Sequence, residues 1–543
     1  MENTHPLPGE IPALKQTLGN KNVHAKPWAR WLLPSFADFL FVAMFVWLFA
    51  TGAGGWYGLL SDGDTGWHIR TGEWILQHGA VPQTDLFSFS KSGQPWFAWE
   101  WLSEILFAGL HQAAGLKGVL LYSAVVICGF GVVLFRHMIW KGAVPAAVLV
   151  VTLLTVGASS IHYLARPHVH TLLFLAISLW VIDRDRHRPD RAIWLLVPFT
   201  VFWVNIHGGF LALIACLGLL VAGTLAEQVI APAIEGRRGD WHPVRRYALL
   251  GALCGLMSLV NPYGWKLHQH VFAYLRSDWI KNNIEEFQSP RFRDETILQF
   301  EILLLLGVMT ALWLIRRREV TPALWILFWA HSALGSVRHV PLYMIVAAPW
   351  VAMGLTELWR RFMEGAPKKS VRAIFSDMSR DCLPGCRRMS IWVGVLVAGF
   401  ALSGEPLVRW PKDFPKEKFP LEMIARHQET LISGRLFTSD EWADYLIYRL
   451  YPRQKTFVDG RSDFFGKEIG DDYLRILKGH WKWESVMAKY RFDTALVPVE
   501  WPVATLLKAN PAWKLVEDGG KTLLFVRKHP YTNGSQASRK RPI

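Results

Sequence analysis

A polytopic α-helical membrane protein with a C-terminal soluble α/β domain is the fold class that this sequence predicts. Three observations predict it. Hydrophobic residues fill 51% of the 543 positions, Trp occurs 28 times, and mean hydropathy is +0.19, more apolar than a soluble globular chain. Apolar stretches of about 17–25 residues, the length that crosses a bilayer, recur about eleven times. Past position 405 they give way to short apolar runs punctuated by turn residues.

Residues 1–33 form a polar segment too long ahead of the first apolar run to be a cleaved signal peptide. The transmembrane region, 34–404, holds the expected spans at 34–55, 117–138, 143–160, 168–183, 192–206, 209–229, 246–261, 296–315, 321–336, 339–356 and 389–404. Between the first two lies a long loop, 56–116. Within it, 101–113 carries Glu104 and His111 and is too short and polar to span, so it reads as an interfacial helix. A linker rich in Pro and Lys, 405–420, leads to the α/β domain, 421–530. Its expected pieces are a helix near 421–432, a strand at 435–438, a helix at 442–451, TFVDG as a buried strand, helices near 467–490 and 501–509, and the strands TALVPV and TLLFVRK. The tail, 531–543, is polar and reads as disordered; its NGS sequon has no assigned meaning.

Charge sets the orientation, because Lys and Arg in short loops resist translocation. Lys15, Lys21, Lys26 and Arg30 put the N-terminus in the cytoplasm. Every second loop is basic as well: RHMIWK at 136–141, DRDRHRPDR at 183–191, EGRRGDWHPVRR at 235–246, RRRE at 316–319 and the run 360–388. The net charge of +15 is thus explained by topology, and nucleic acid is not an expected partner. The opposite loops carry DGD, ARPH, NIHGG, IEEFQSP and RHVP, and an odd number of spans puts the C-terminal domain on their side, periplasmic or extracellular. Cys128, Cys216 and Cys254 lie in apolar segments. Cys382 and Cys386 sit in a basic loop as CLPGC, two thiols without a second pair, so neither a disulfide framework nor a zinc site is expected.

The segregation bears on function. A transporter places ionisable groups inside its spans near the midplane, often in repeated halves; here no repeat is visible and the polar residues gather at one face. In the first outer loop, Asp62 and Asp64 flank Gly63, an arrangement that suits oxygen ligation of one hard cation and equally a solvated turn. The loop continues with His68, Arg70, Glu73, Asp85, Glu100 and Glu104, and with Trp67, Trp74, Trp96, Trp99 and Trp101, rings that fit a membrane interface and would also stack on a sugar.

In this loop the run D-x-D-T-x-W-H-x-x-x-G-x-x-I, followed by G-x-V-P-x-x-D-x-F-S-F-S and G-x-P-W-x-x-x-E-W-L-x-E, resembles bacterial multi-pass proteins of the GT-C glycosyltransferase superfamily. The likeness continues through ARPH (165–168), NIHGG (205–209), NPYG (261–264), IEEFQSP (284–290), RHVP (338–341), GRLFTSDEWADYLIY and FVDGRSDFF, so it covers most of the chain. One position departs from it, Phe287, where related sequences favour Trp. The resemblance implies a GT-C-like fold and a transferase that uses a polyprenyl-phosphate-linked sugar, with its site facing away from the cytoplasm. An acidic residue of the first outer loop acts in that superfamily as base or metal ligand, and the matching positions are Asp62 and Asp64.

Inverting sugar transfer from a lipid phosphate needs a base for the acceptor proton and a counter-charge for the departing phosphate. Asp64 is the expected base or metal ligand, with Asp62 beside it and a divalent ion, Mg or Mn, as the expected cofactor. Arg166 and Arg338 stand at span ends where a guanidinium grips phosphate, or where an arginine snorkels. Each has a histidine nearby, His168 and His339, and His162 and His207 fall on the same side. His68, Asp85, Glu100, Glu104, His207, Glu285 and Glu286 are candidates for substrate or loop contacts; one glutamate of the last pair is expected to be solvated and the other to complete the metal's shell or position the acceptor. DGR at 459–461 reads as a turn with a salt-bridging arginine ahead of a ligand contact. Expected partners are the lipid-linked sugar, membrane lipids and an acceptor glycan, lipid or protein. Two other classes stay open: a transporter or flippase of lipid-linked sugars, which calls for functional polar groups deep in the spans, and a non-catalytic membrane assembly protein.

Overall fold

The computed structural model describes residues 31–531, except 51–55, 237, 295–296, 366, 368–369, 389 and 405–409. Most of the N-terminal segment with its lysines, the start of the linker, and the tail with its sequon lie outside the described residues.

All eleven apolar segments are helical, from Phe36–Ala50 to Trp392–Leu402. Five helices among the described residues are long and apolar enough to cross a membrane: Leu116–Trp140, Pro145–His162, Phe210–Ile230, Leu298–Arg316 and Val337–Met363. A sixth would be Val371–Arg387 with Trp392–Leu402, a pair bent by 62°. The other expected spans form shorter or more polar helices. Leu298–Arg316 shows why such helices belong in lipid. Leu305, Met309 and Leu312 are more than half exposed, while Leu303, Gly307, Ala311 and Leu314 pack inward, so both faces are apolar. CLPGC proves to be the end of the helix Val371–Arg387 and not a loop.

Helix ends sort the polar turns. The basic turns meet at one end of the bundle, where His137 and Lys141 both reach Asp183 at 2.8 Å and Arg246 reaches Asp185 at 2.7 Å. The turns that hold Asp62, Arg166, His207, Glu286 and Arg338 converge at the other. There the first loop is helical too. Asp64 is the first residue of the helix Asp64–His78, so DGD is a helix entry and not an open turn, and Trp101–Ala114 packs along that helix.

The C-terminal segment builds a four-stranded mixed sheet in the order β1-β2-β4-β3. β1 (Leu436–Phe437) runs parallel to β2 (Thr494–Pro498); β4 (Thr522–Arg527) is antiparallel to β2 and to β3 (Trp513–Asp518). Two expectations are corrected. TFVDG is not a strand: its one ladder contact is an isolated bridge from Thr456 to Ser88. β3 was not expected, since only its first residue is buried and it therefore lacks an apolar run.

Two apolar cores hold the molecule together. One fills the helical bundle and runs on into the C-terminal segment through Phe414, Tyr445, Leu496 and Leu524. The other joins Trp67, Phe87, Trp96 and Ala98 of the first loop to Phe437, Phe457, Phe464 and Phe465 of the C-terminal segment. The loop and the α/β domain therefore bury their apolar faces against each other. Close approach is built in by glycine: a Cβ on Gly66 would lie 2.8 Å from the Tyr448 Cβ, and one on Gly63 would lie 2.8 Å from that of Asp444.

Candidate active site

Where the polar turns converge lies a cavity of about 300 Å³ with a mixed lining. His68, Glu100, Arg166, His168, His207, Glu286, Arg338 and His339 line it, and so do the apolar side chains of Leu172, Leu211, Ala215, Val271, Phe328 and Leu342. Five sequence-predicted segments that are distant along the chain thus meet in one place.

Arg166 is the hub. Thr65 Oγ donates to the Ala165 carbonyl at 2.9 Å and the Ala165 N–H donates to the Leu59 carbonyl at 2.8 Å, which pins the ARPH turn to the start of the Asp64–His78 helix. From there Arg166 Nη1 lies 2.7 Å from Asp62 Oδ2 and 3.6 Å from Glu286 Oε1, while Nη2 lies 2.5 Å from Asp64 Oδ2. The second guanidinium, Arg338, donates to the Tyr274 hydroxyl at 3.0 Å and faces Glu286 Oε2 at 3.7 Å. Glu286 thus sits between the two arginines. Burial alone would raise its pKa, but Arg338 and Arg166 outweigh burial and hold it at about 2. Its neighbour Glu285 is the solvated one of the pair, with a side chain 89% exposed.

Asp62 and Asp64 stand behind Arg166 and are not among the residues lining the cavity. Asp64 Oδ1 packs beneath Gly460, and so does Asp444 Oδ2 of the helix Asp440–Leu450. Burial raises Asp64 to about 7, with Arg166 opposing and Asp62 adding to the rise. Asp444, pushed well above its usual range by burial and by Asp64, is held by the Gly460 N–H at 3.0 Å. Sequence reasoning did not single out Asp444. The available signal was an aspartate in the middle of the amphipathic run DEWADYLIY, at a position the helix buries.

Glu100 has the most unusual surroundings in the cavity. His68 Nε2 is 3.5 Å from its Oε2 and His207 Nε2 is 3.3 Å from its Oε1. On its far side His68 Nδ1 meets Glu104 Oε1 at 3.3 Å, and Glu104 is fully buried. Burial pushes Glu100 up to about 8 and Glu104 well above the carboxylate range, with Glu100 adding to the latter. Burial also pushes His68 and His207 down, which favours their neutral form. His168 Nε2 donates to the His162 carbonyl at 2.7 Å and His339 Nδ1 to the Ser332 carbonyl at 3.2 Å.

Asp85 lies elsewhere. It accepts from the Ser88 N–H at 2.9 Å and Ser88 Oγ at 2.7 Å, and it pairs with buried Arg461 at 2.9 Å, which also holds Asp459 at 2.7 Å. DGR therefore makes a salt-bridged turn that ties the first loop to the α/β domain.

The donor set does not fit the expected divalent ion. One guanidinium takes an oxygen from each of Asp62 and Asp64, and among the described residues no three His, Cys, Asp or Glu side chains form a metal-holding group. As they stand, these carboxylates have a cationic partner.

No family model matches the chain, and no curated protein matches its sequence. Solved structures do match. The apo oligosaccharyltransferase of Archaeoglobus fulgidus gives a TM-score of 0.52 at 11% identity, over 86% of this chain and 69% of that one. The same organism's AglB, in complex with an inhibitory peptide and a dolichol-phosphate, gives 0.49 at 13% identity, over 86% and 68%. ArnT from Cupriavidus metallidurans bound to undecaprenyl phosphate gives 0.45 at 12% identity, over 90% and 97%. The first of these shows a shared fold, and that fold is the GT-C fold to which the loop motifs pointed.

Proposed function

We propose that this GT-C-fold chain is an inverting glycosyltransferase that moves a sugar from a polyprenyl-phosphate-linked donor to an acceptor at the outer face of the cell membrane. One observation carries the reading: the same cavity is lined by two guanidiniums, Arg166 and Arg338, and by apolar side chains that include Leu172, Leu211 and Phe328. An anionic headgroup on a hydrocarbon tail matches both kinds of lining. A nucleotide sugar matches the guanidiniums alone.

In this reading the two guanidiniums hold the donor phosphate, charge-assisted and oriented, and offset the charge that develops as the sugar leaves. Glu286 keeps them a fixed distance apart. Asp64 is the proposed proton acceptor, reached through a bridging water because it does not line the cavity, and its value of about 7 suits a base working at neutral pH. Asp62 backs Arg166. The α/β domain, 421–530, lies at the outer face and closes the site behind Asp64. The arginines take the electrostatic part that a divalent ion was expected to play.

The test is a lipid analysis. Cells lacking the protein should accumulate one lipid-linked sugar, and the wild-type gene, but not Asp64→Asn, should clear it. Absence of any accumulation, together with full complementation by Asp64→Asn, would contradict the transferase reading.

A further inference from the structure

We propose that the helix Val371–Arg387 is not part of a span: it lies along the membrane surface at the basic end of the bundle and binds anionic phospholipid there, whatever the chain catalyses at the other end.

The crossing that follows this helix is made without it. Arg136, near one end of the helix Leu116–Trp140, donates to the Arg388 carbonyl, and Lys117 Nζ, at the other end, donates to the Ser403 carbonyl at 3.1 Å. The chain from Arg388 to Ser403 therefore runs the length of a helix long enough to span. A bend of 62° ahead of it turns Val371–Arg387 away from that direction. Two exposed tryptophans stand at the junction. The Ile391 N–H donates to the Trp31 carbonyl at 3.1 Å, and Trp392 Nε1 donates to the Leu32 carbonyl at 2.8 Å. Exposed Trp rings at the end of a crossing belong in the headgroup region of a bilayer.

Around its axis the helix has three unlike sides. Leu383 and Cys386 pack into the bundle core, and a Cβ on Gly385 would lie 2.8 Å from the Phe36 ring. Val371, Ile374, Phe375 and Met378, spaced i, i+3, i+4 and i+7, make an apolar stripe in which each side chain is more than half exposed. Asp377, Arg380 and Asp381 form the third side, exposed and polar. Open water has no cover for the stripe and hydrocarbon has no place for the polar side, whereas the boundary between them accommodates both. Arg372 ties the stripe to the end of Val337–Met363: it donates to the Phe362 carbonyl at 3.0 Å, with its guanidinium 5.4 Å from the centre of that ring. Phe362 and Leu358 are exposed on a helix that crosses the membrane, so the lipid that covers them reaches the stripe as well.

Charge selects the lipid. From 357 to 388 the sequence carries eight Lys and Arg against four Asp and Glu. Arg360 and Arg361 share one carboxylate, Glu357, and Arg387 and Arg388 are exposed. A basic cluster of this kind beside a crossing attracts anionic headgroups.

The experiment places a fluorescent probe on the full chain at Phe375→Cys or at Asp381→Cys, with Cys382→Ser removing the one native thiol that is not buried. In nanodiscs of equal parts phosphatidylcholine and phosphatidylglycerol, a nitroxide on the lipid chains should quench the first probe, and acrylamide in the water should quench the second. Acrylamide reaching both alike would mean that the helix stands off the membrane, and lipid quenching of both would mean a broken span; either result overturns the surface placement. Lipid selectivity is read in detergent, where added phosphatidylglycerol should blue-shift the probe at Phe375→Cys and phosphatidylcholine should not. Arg380→Gln and Arg387→Gln should each raise the phosphatidylglycerol concentration for half the shift about fivefold, and added salt should raise it too. A lipid phosphate that enters the cavity at Arg166 does not register, because the probe sits on this helix. An equal response to the two lipids, or none, overturns the anionic-lipid assignment, as does a half-shift concentration that neither arginine variant changes.

Discussion

Glu286 between Arg166 and Arg338 is the smallest unit on which the account depends. An ionised carboxylate there keeps two like charges together until a phosphate replaces it as their partner. Arg338→Lys should raise the donor KM about tenfold or more, because an ammonium cannot reproduce the planar fork that reaches both Tyr274 and an anion. Asp64 makes a separate, signed prediction. As a base it must be deprotonated, so kcat/KM should rise with pH through about 7, and Asp64→Asn should remove that limb. Much of this was legible in the sequence as residue types at loop positions: Asp62, Asp64, Arg166, Arg338, His168 and Glu286 all arrive at one place. Their partners were not legible. Asp444 lies hundreds of positions from Asp64, and no local pattern reports a contact that only tertiary packing makes. The cation that D-x-D suggests was not legible either: the pattern does not say which cation, and in this structure the Arg166 guanidinium is the partner of both carboxylates.

At the scale of elements, the helices were readable because a 3.6-residue apolar period or an all-apolar stretch is a strong signal. Strands of this small sheet were less so. TFVDG is apolar and buried but has no ladder beside it, while β3 has a ladder and almost no buried face. The helices Asp64–His78 and Asp440–Leu450 meet through Gly63 and Gly66, so a branched side chain there has nowhere to go. Gly66→Val should loosen the α/β domain, seen as faster proteolysis within 421–530, and should lower activity with it. The same junction is clamped by Arg461. Asp85→Ala removes one carboxylate from a buried pair and the acceptor of the Ser88 N–H, a loss of about 3 kcal/mol, which thermal unfolding of the purified protein would register.

For the molecule as a whole, polar groups are sorted to the two ends of an apolar bundle, and the α/β domain shares a core with the loop that carries the candidate acids. That arrangement favours chemistry at a membrane face over passage through it. It also explains why the C-terminal domain is no appendage: removing it would expose Trp67, Phe87 and Trp96 and uncover Asp64. The most direct measurement of the central claim is the affinity of the full chain for undecaprenyl phosphate, compared with that of Arg166→Ala and Arg338→Ala. Each charge-assisted contact is worth about 1.5–3 kcal/mol, so each variant should bind about 10- to 100-fold more weakly, and the wild-type affinity should fall as salt is added. Equal affinity in wild type and in the double variant, unaffected by salt, would show that the cavity does not receive a lipid phosphate and would contradict the account.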